Sequence, residues 1–351
     1  MKMTRFVKQL FSLILGVAVL AGCCLVDEDV RDCETEYFLD YEMLMITNLN
    51  TEINTELSIG TDIQIAQALR AYLDDVFNDF AHDVDLGFYD VVRDEVEGDS
   101  IRLHHETHVM DASESSYMLY IPIRDYMHLA VANIEDNTTI DIEDGNLCHK
   151  ARLSQTVSDT VSCHNTGIFT ARLPMYIPED KSETFEVSLY MANCACAMVI
   201  DTIGSNITDM KVFATGFATE FSICDSSYRF SYTPVVKADE VKLPDVGAVC
   251  FTTVTFPSRD PEYTKVSIET EDPFISERSE DALWHLYVYT TLADGSITET
   301  LLGVGTPLRA GQLKIFRAKV LGNGAVQPDD PTVGVSVALD WEPGNHHEIE
   351  L

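Results

Sequence analysis

Val333-Gly334-Val335-Ser336-Val337-Ala338-Leu339-Asp340-Trp341 carries the clearest periodicity in the chain. Val333, Val335, Val337, Leu339 and Trp341 alternate with Gly334, Ser336, Ala338 and Asp340. A period of two is the signature of a strand that lays one face on a core. A slip of one residue would turn all five large side chains the other way, so the register should be fixed and this face buried.

The same period recurs upstream. It predicts strands over 36–46, 84–92, 101–109, 117–123, 126–134, 173–177, 185–200, 211–215, 228–235, 249–256, 283–290 and 313–321. Ala293-Asp294-Gly295-Ser296 and Gly322-Asn323-Gly324 read as turns, where glycine takes the positive φ that a tight reversal needs. The period changes only over 62–80. There Ile65, Leu69, Leu73, Val76, Phe77 and Phe80 recur at three and four, the spacing of an amphipathic helix, with Thr61 or Asp62 as its cap. Many short strands, one early helix and turns every 8–15 residues predict a mainly β chain built as two tandem β-sandwiches. A new strand series starts at Arg172, so the expected domains are 36–171 and 172–351.

The N-terminus is of another kind. Lys2, Arg5 and Lys8 precede an apolar run from Leu10 to Leu20, which ends in Ala21-Gly22-Cys23. A basic start, a short apolar run and a small-residue exit make a secretory signal peptide over 1–22, too short to span a bilayer. Its end, Leu20-Ala21-Gly22-Cys23, resembles the lipobox of bacterial lipoproteins. That resemblance implies cleavage between Gly22 and Cys23, a diacylglycerol thioether on Cys23 and acylation of the new N-terminus. Several acyl chains hold a protein on a membrane where one holds it only marginally. Residues 23–35 follow as an acidic tether.

Removing 1–22 takes three basic residues and no acidic one, leaving 20 basic against 58 acidic residues and a net charge of −38. So acidic a chain repels nucleic acid, whose phosphates need clustered Lys and Arg. It also repels an anionic lipid surface, so attachment must be covalent.

With Cys23 acylated, eight of the nine cysteines remain, in a compartment that permits disulfides. Eight allow 105 connectivities. Cys148 and Cys163 bracket a loop and are the expected pair, while Cys194 and Cys196 read as small buried residues of one strand. His104, Glu106 and His108 would share one strand face, but the run lacks the spacing of a zinc protease. His346-His347 reads as a solvated terminus. Cys148-His149 and Cys163-His164 point to opposite strand faces and chelate poorly. No Gly-x-Ser-x-Gly elbow or Walker A loop occurs. No metal, no cofactor and no catalysis are expected.

The chain resembles the FimB-type subunits, lipid-anchored base proteins of type V fimbriae. The resemblance rests on the lipobox with Arg31-Asp32-Cys33 and 37–41, on 77–90, on 293–296 with 313–319, and on 333–344. It implies two transthyretin-like β-sandwiches, a place at the base of a fimbrium on the outer membrane, and pilins of the stalk as partners. It further implies joining by strand exchange, in which an extended segment of one subunit completes the sheet of the next. The alternative is a glycan-binding surface lipoprotein on a similar scaffold. Against it, the chain has only two tryptophans, Trp284 and Trp341, both in strand-like settings.

Overall fold

The computed structural model describes residues 36–46, 62–77, 83–92, 100–110, 116–123, 125–135, 137–143, 151–177, 184–244, 247–261 and 282–339. In chain order the elements are β1 (Glu36–Ile46), α1 (Asp62–Val76), β2 (Asp83–Val92), β3 (Ser100–Met110), β4 (Ser116–Pro122), β5 (Asp125–Ala132), β6 (Ile140–Glu143), β7 (Arg152–Gln155), β8 (Thr160–Ser162), β9 (Phe169–Tyr176) and β10 (Thr184–Met191). Then come β11 (Cys194–Asp201), β12 (Ile207–Thr215), β13 (Glu220–Ser222), β14 (Ser227–Arg229), β15 (Val235–Lys237), β16 (Asp239–Val241) and β17 (Ala248–Thr255). The last are β18 (Trp284–Leu292), β19 (Ile297–Val304), β20 (Leu313–Val320), β21 (Val326–Pro328) and β22 (Gly334–Leu339). The fold is mainly β, as the alternating pattern predicts.

The first sheet has seven strands in the order β3-β2-β5-β9-β10-β1-β4. It is folded over on itself. Tyr41 on β1 and His128 on β5 are separated by two intervening strands, yet their side chains hydrogen-bond at 2.6 Å. In a flat sheet strands three places apart lie about 14 Å from each other. The sheet therefore forms two facing leaves, β3-β2-β5-β9 and β10-β1-β4. Leu86, Phe88, Ala130 and Met175 of one leaf share a core with Tyr41, Leu119, Ile121 and Leu189 of the other.

Helix α1 closes this core with Ile65, Leu69, Leu73 and Phe77, one stripe at helical spacing, while Ile63, Gln67 and Asp74 face solvent. It ends sooner than the pattern predicts. The amide of Gly167 donates to the Val76 carbonyl at 2.7 Å and takes over where the ladder stops. A Cβ on Gly167 would come within 2.5 Å of Phe77 Cδ1, so this close approach needs glycine. Phe80 lies outside the described residues.

The second sandwich packs the sheet β16-β17-β11-β20-β21 on the sheet β22-β19-β18-β12-β15-β8. Trp284 is fully buried in its core with Met198, Val288, Leu302 and Phe316. Its indole donates to the Thr306 carbonyl at 2.9 Å. A four-stranded sheet, β14-β13-β7-β6, covers the outer face of β5, where Leu129 and Val131 meet Leu153, Phe221 and Ile223.

Four expectations are corrected. The boundary between 171 and 172 falls inside β9, and β10 pairs in parallel with β1, so the first sheet runs on to Met191. Conversely, β6, β7 and β8 lie in sheets that contain strands from beyond residue 220, so the two halves interlock. The single strand expected over 185–200 is broken at Asn193. Its side chain accepts from the Ile168 amide and donates to the Thr166 carbonyl, which draws the chain out of the ladder. The strand expected over 228–235 is likewise two, β14 and β15, in different sheets on either side of Pro234, which has no amide to donate. Finally, Val333 is buried but Val335 stays 47% exposed. β22 is an edge strand, paired among the described residues only with β19. The side chains of Val337, Leu339 and Trp341 lie outside the described residues.

Candidate interaction site

Gly22 and Cys23 lie outside the described residues, as do Cys148, His149 and His346-His347. Cys163 is a buried free thiol rather than half of a disulfide with Cys148. It follows β8 into the core and donates to the Lys237 carbonyl at 3.1 Å. Burial pushes the thiol up to about 12, which keeps it protonated and inert. Cys194, Cys196 and Cys250 are also free and buried, with Cys194 and Cys196 alternating against Ala195 and Ala197 on β11. Cys224, by contrast, is disulfide-bonded.

His164 does not act with Cys163. Its ring packs edge-on against Phe256 at 5.0 Å and its Nδ1 lies 3.5 Å from the Asn193 amide. Burial lowers its pKa to about 3. On β3, His105, Glu106 and His108 pair with Phe88, Gly87 and Asp85 of β2. His104 is the extra residue of a β-bulge there, which breaks the alternation that would align it with Glu106 and His108. Their side chains lie outside the described residues.

What the geometry does offer is an open corner in the first sheet. β9 and β10 are antiparallel neighbours, but their ladder holds only Tyr190↔Thr170 and Met191↔Phe169. Continuing that register would pair 171–176 with 184–189. Those pairs are absent, although β9 is laddered along its other edge to β5 and β10 along its other edge to β1. Each strand thus turns one row of main-chain groups toward the gap. A cavity of about 580 Å³ opens here, lined by Arg172, Leu173, Glu186, Ser188, Tyr190 and Tyr228. The Tyr228 hydroxyl donates to the Ala192 carbonyl and fixes the closed end. Tyr190, which lines it, is 58% exposed. Residues alternate along both strands. Ala171, Met175, Val187 and Leu189 point into the core, while Arg172, Pro174, Glu186 and Tyr190 point out.

The sequence pattern places a domain boundary at 171–172, inside β9, and does not disclose this corner. One signal was present: Pro174 interrupts the donors of β9, and a proline inside a strand marks an incomplete ladder.

A mainly β architecture of interlocked sheets with an open corner defines the class, and among the described residues no group of three or more His, Cys, Asp or Glu side chains could hold a metal ion. No protein-family model matches the chain, and no curated protein matches it in sequence. Among solved structures it is similar to a candidate adhesin from Bacteroides ovatus, at 11% identity over 89% of this chain and 97% of that one, with a TM-score of 0.49. It is also similar to the fimbrial anchor protein Mfa2 from Porphyromonas gingivalis, at 7% identity over 87% and 99% of the two chains, with a TM-score of 0.43. The tip fimbrial protein Mfa3 of the same organism, with a C-terminal truncation, is similar at 11% identity over 87% and 100%, with a TM-score of 0.41.

Proposed function

We propose that this chain is a lipid-anchored fimbrial subunit of the outer membrane, which holds its fimbrium through Cys23 and takes part in assembly by strand exchange with a pilin. The observation that carries the reading is the stretch Leu20-Ala21-Gly22-Cys23 at the head of an acidic tether. The 13 residues from Cys23 to Cys33-Glu34-Thr35 reach at most about 45 Å when extended, which keeps the first sheet close to the lipid. No helix among the described residues is long and apolar enough to cross a membrane. The role is structural. Of the cysteine and histidine pairs that the sequence offers for chemistry, Cys163 is a buried thiol and His164 a desolvated ring.

Replacing Cys23 tests the anchor. In the native cell, Cys23→Ala should abolish acyl labelling and release the protein from the outer-membrane fraction, and fimbriae should be shed with it. A variant that is still acylated and retained would overturn the assignment.

A further inference from the structure

We propose that the open corner between β9 and β10 is where an extended segment of a second polypeptide inserts. This deepens the strand-exchange reading above and rests on it.

The gap is not imposed by the connection. In the register set by Tyr190↔Thr170, residues 177 and 183 would face each other across a five-residue loop, an ordinary hairpin length. What opens the corner is that β9 belongs to one leaf and β10 to the other, and the leaves are held face to face by Tyr41 and His128. Two main-chain edges of six residues each, 171–176 and 184–189, are left without a ladder between them. Six residues span about 20 Å, the length of a typical strand. Unpaired edges of this kind are templates for another strand.

The occupant's chemistry follows from the walls. Its inward residues meet Ala171 and Leu173 and must be apolar; its outward residues alternate with them and face Arg172 and Glu186. Among the described residues these two form no ion pair with each other or with anything else within 4 Å. A segment with an acidic residue beside Arg172 and a basic one beside Glu186 complements both. Because β9 and β10 are antiparallel, the guest lies parallel to one and antiparallel to the other.

The test uses the full-length, acylated protein in its native cell, with a photo-crosslinking amino acid at Ser188 and, as control, at Met118, which is 70% exposed on β4. Support is a crosslink from position 188 alone to a second polypeptide, mapping to a run with alternating apolar residues, together with slowed amide exchange over 171–176 and 184–189 in the complex. Arg172→Glu should lower the crosslink yield roughly tenfold while leaving the melting temperature unchanged, because this exposed guanidinium has no ion-pair partner among the described residues. A crosslink to the protein's own chain overturns the proposal by naming an internal occupant. Recovery of a pilin with no crosslink at 188 overturns the corner and leaves strand exchange elsewhere intact. Recovery of no partner at all from an anchored protein overturns both.

Discussion

Tyr41 Oη lies 2.6 Å from His128 Nε2, joining two strands that are not neighbours in their sheet. His128 Nδ1 lies 3.0 Å from the Gly87 carbonyl, which can only accept. The proton therefore sits on Nδ1, and Nε2 accepts from the tyrosine hydroxyl. The imidazole is stacked on Phe88 at 4.5 Å and is fully buried, so this pair holds the two leaves together inside an apolar core.

Acid should loosen that clasp. Burial lowers the His128 pKa to about 4 from the ordinary 6.5. Below 6.5 the unfolded chain takes up a proton that the folded chain refuses, so stability is full above about pH 6.5 and falls as pH drops toward 4. The total effect is about 3 kcal/mol at the acid end. His128→Gln, which stays neutral, should flatten the fall in melting temperature between pH 6.5 and 4 relative to the wild type. His164 has the same sign but is present in both proteins, so the difference isolates His128. Parallel curves would refute the assignment. Tyr41→Phe leaves Nε2 without its donor and should cost about 2 kcal/mol at neutral pH.

Asn193 ties three segments at once. Its Oδ1 takes the Ile168 amide, its Nδ2 donates to the Thr166 carbonyl, and its own carbonyl takes the Gly311 amide. Replacement by Leu removes the two side-chain bonds and the 3.5 Å contact with His164 Nδ1, and strands the buried Ile168 amide and the part-buried Thr166 carbonyl. Urea denaturation should report a loss of about 3 kcal/mol. A loss under half a kcal/mol would mean that the break between β10 and β11 is held by other contacts.

Local signals carried most of the elements. β1 is read from its alternation, α1 from its stripe, and the Gly295 and Gly324 reversals from their glycines, which take φ of 86° and 82°. Pairing was not legible, because which strand lies beside which depends on contacts far apart in the chain. That β10 lies parallel to β1, and β8 parallel to β15, leaves no local trace. The corner was hidden for the same reason: Arg172 and Glu186 look like any solvated pair until β9 and β10 part. Buried cysteines mislead similarly, since the Cys163 thiol is bonded to a carbonyl 74 residues away.

Gly167 sits where α1 meets β9. A Cβ there would lie 2.5 Å from Phe77 Cδ1 and 3.3 Å from Phe77 Cα, so a ring rotation alone does not relieve it. Gly167→Ala should cost about 1–3 kcal/mol by overpacking and shift the helix end. A helix-end probe such as 19F-labelled Phe77 should move in chemical shift. An unmoved signal with unchanged stability would show that the close approach is not needed.

Cysteine chemistry gives the sharpest check on the register of the small sheet. Cys163, Cys194, Cys196 and Cys250 are free and buried, so a maleimide should leave all four unlabelled in the native protein and label them after denaturation. Cys224 should become reactive only after reduction. With four thiols free and Cys23 assigned to the lipid, its partner is among Cys24, Cys33 and Cys148. Ser222 pairs with Arg152, and the Ile223 amide donates to the Ala151 carbonyl at 3.1 Å, which sets Cys224 beside the start of β7. Cys148 is three residues from Ala151, at most about 10 Å of chain. A non-reducing peptide map should therefore link the peptide holding Cys224 to the one holding Cys148. Linkage to Cys24 or Cys33 would instead place the tether against the four-stranded sheet and contradict the pairing of β13 with β7 as the feature that chooses the partner.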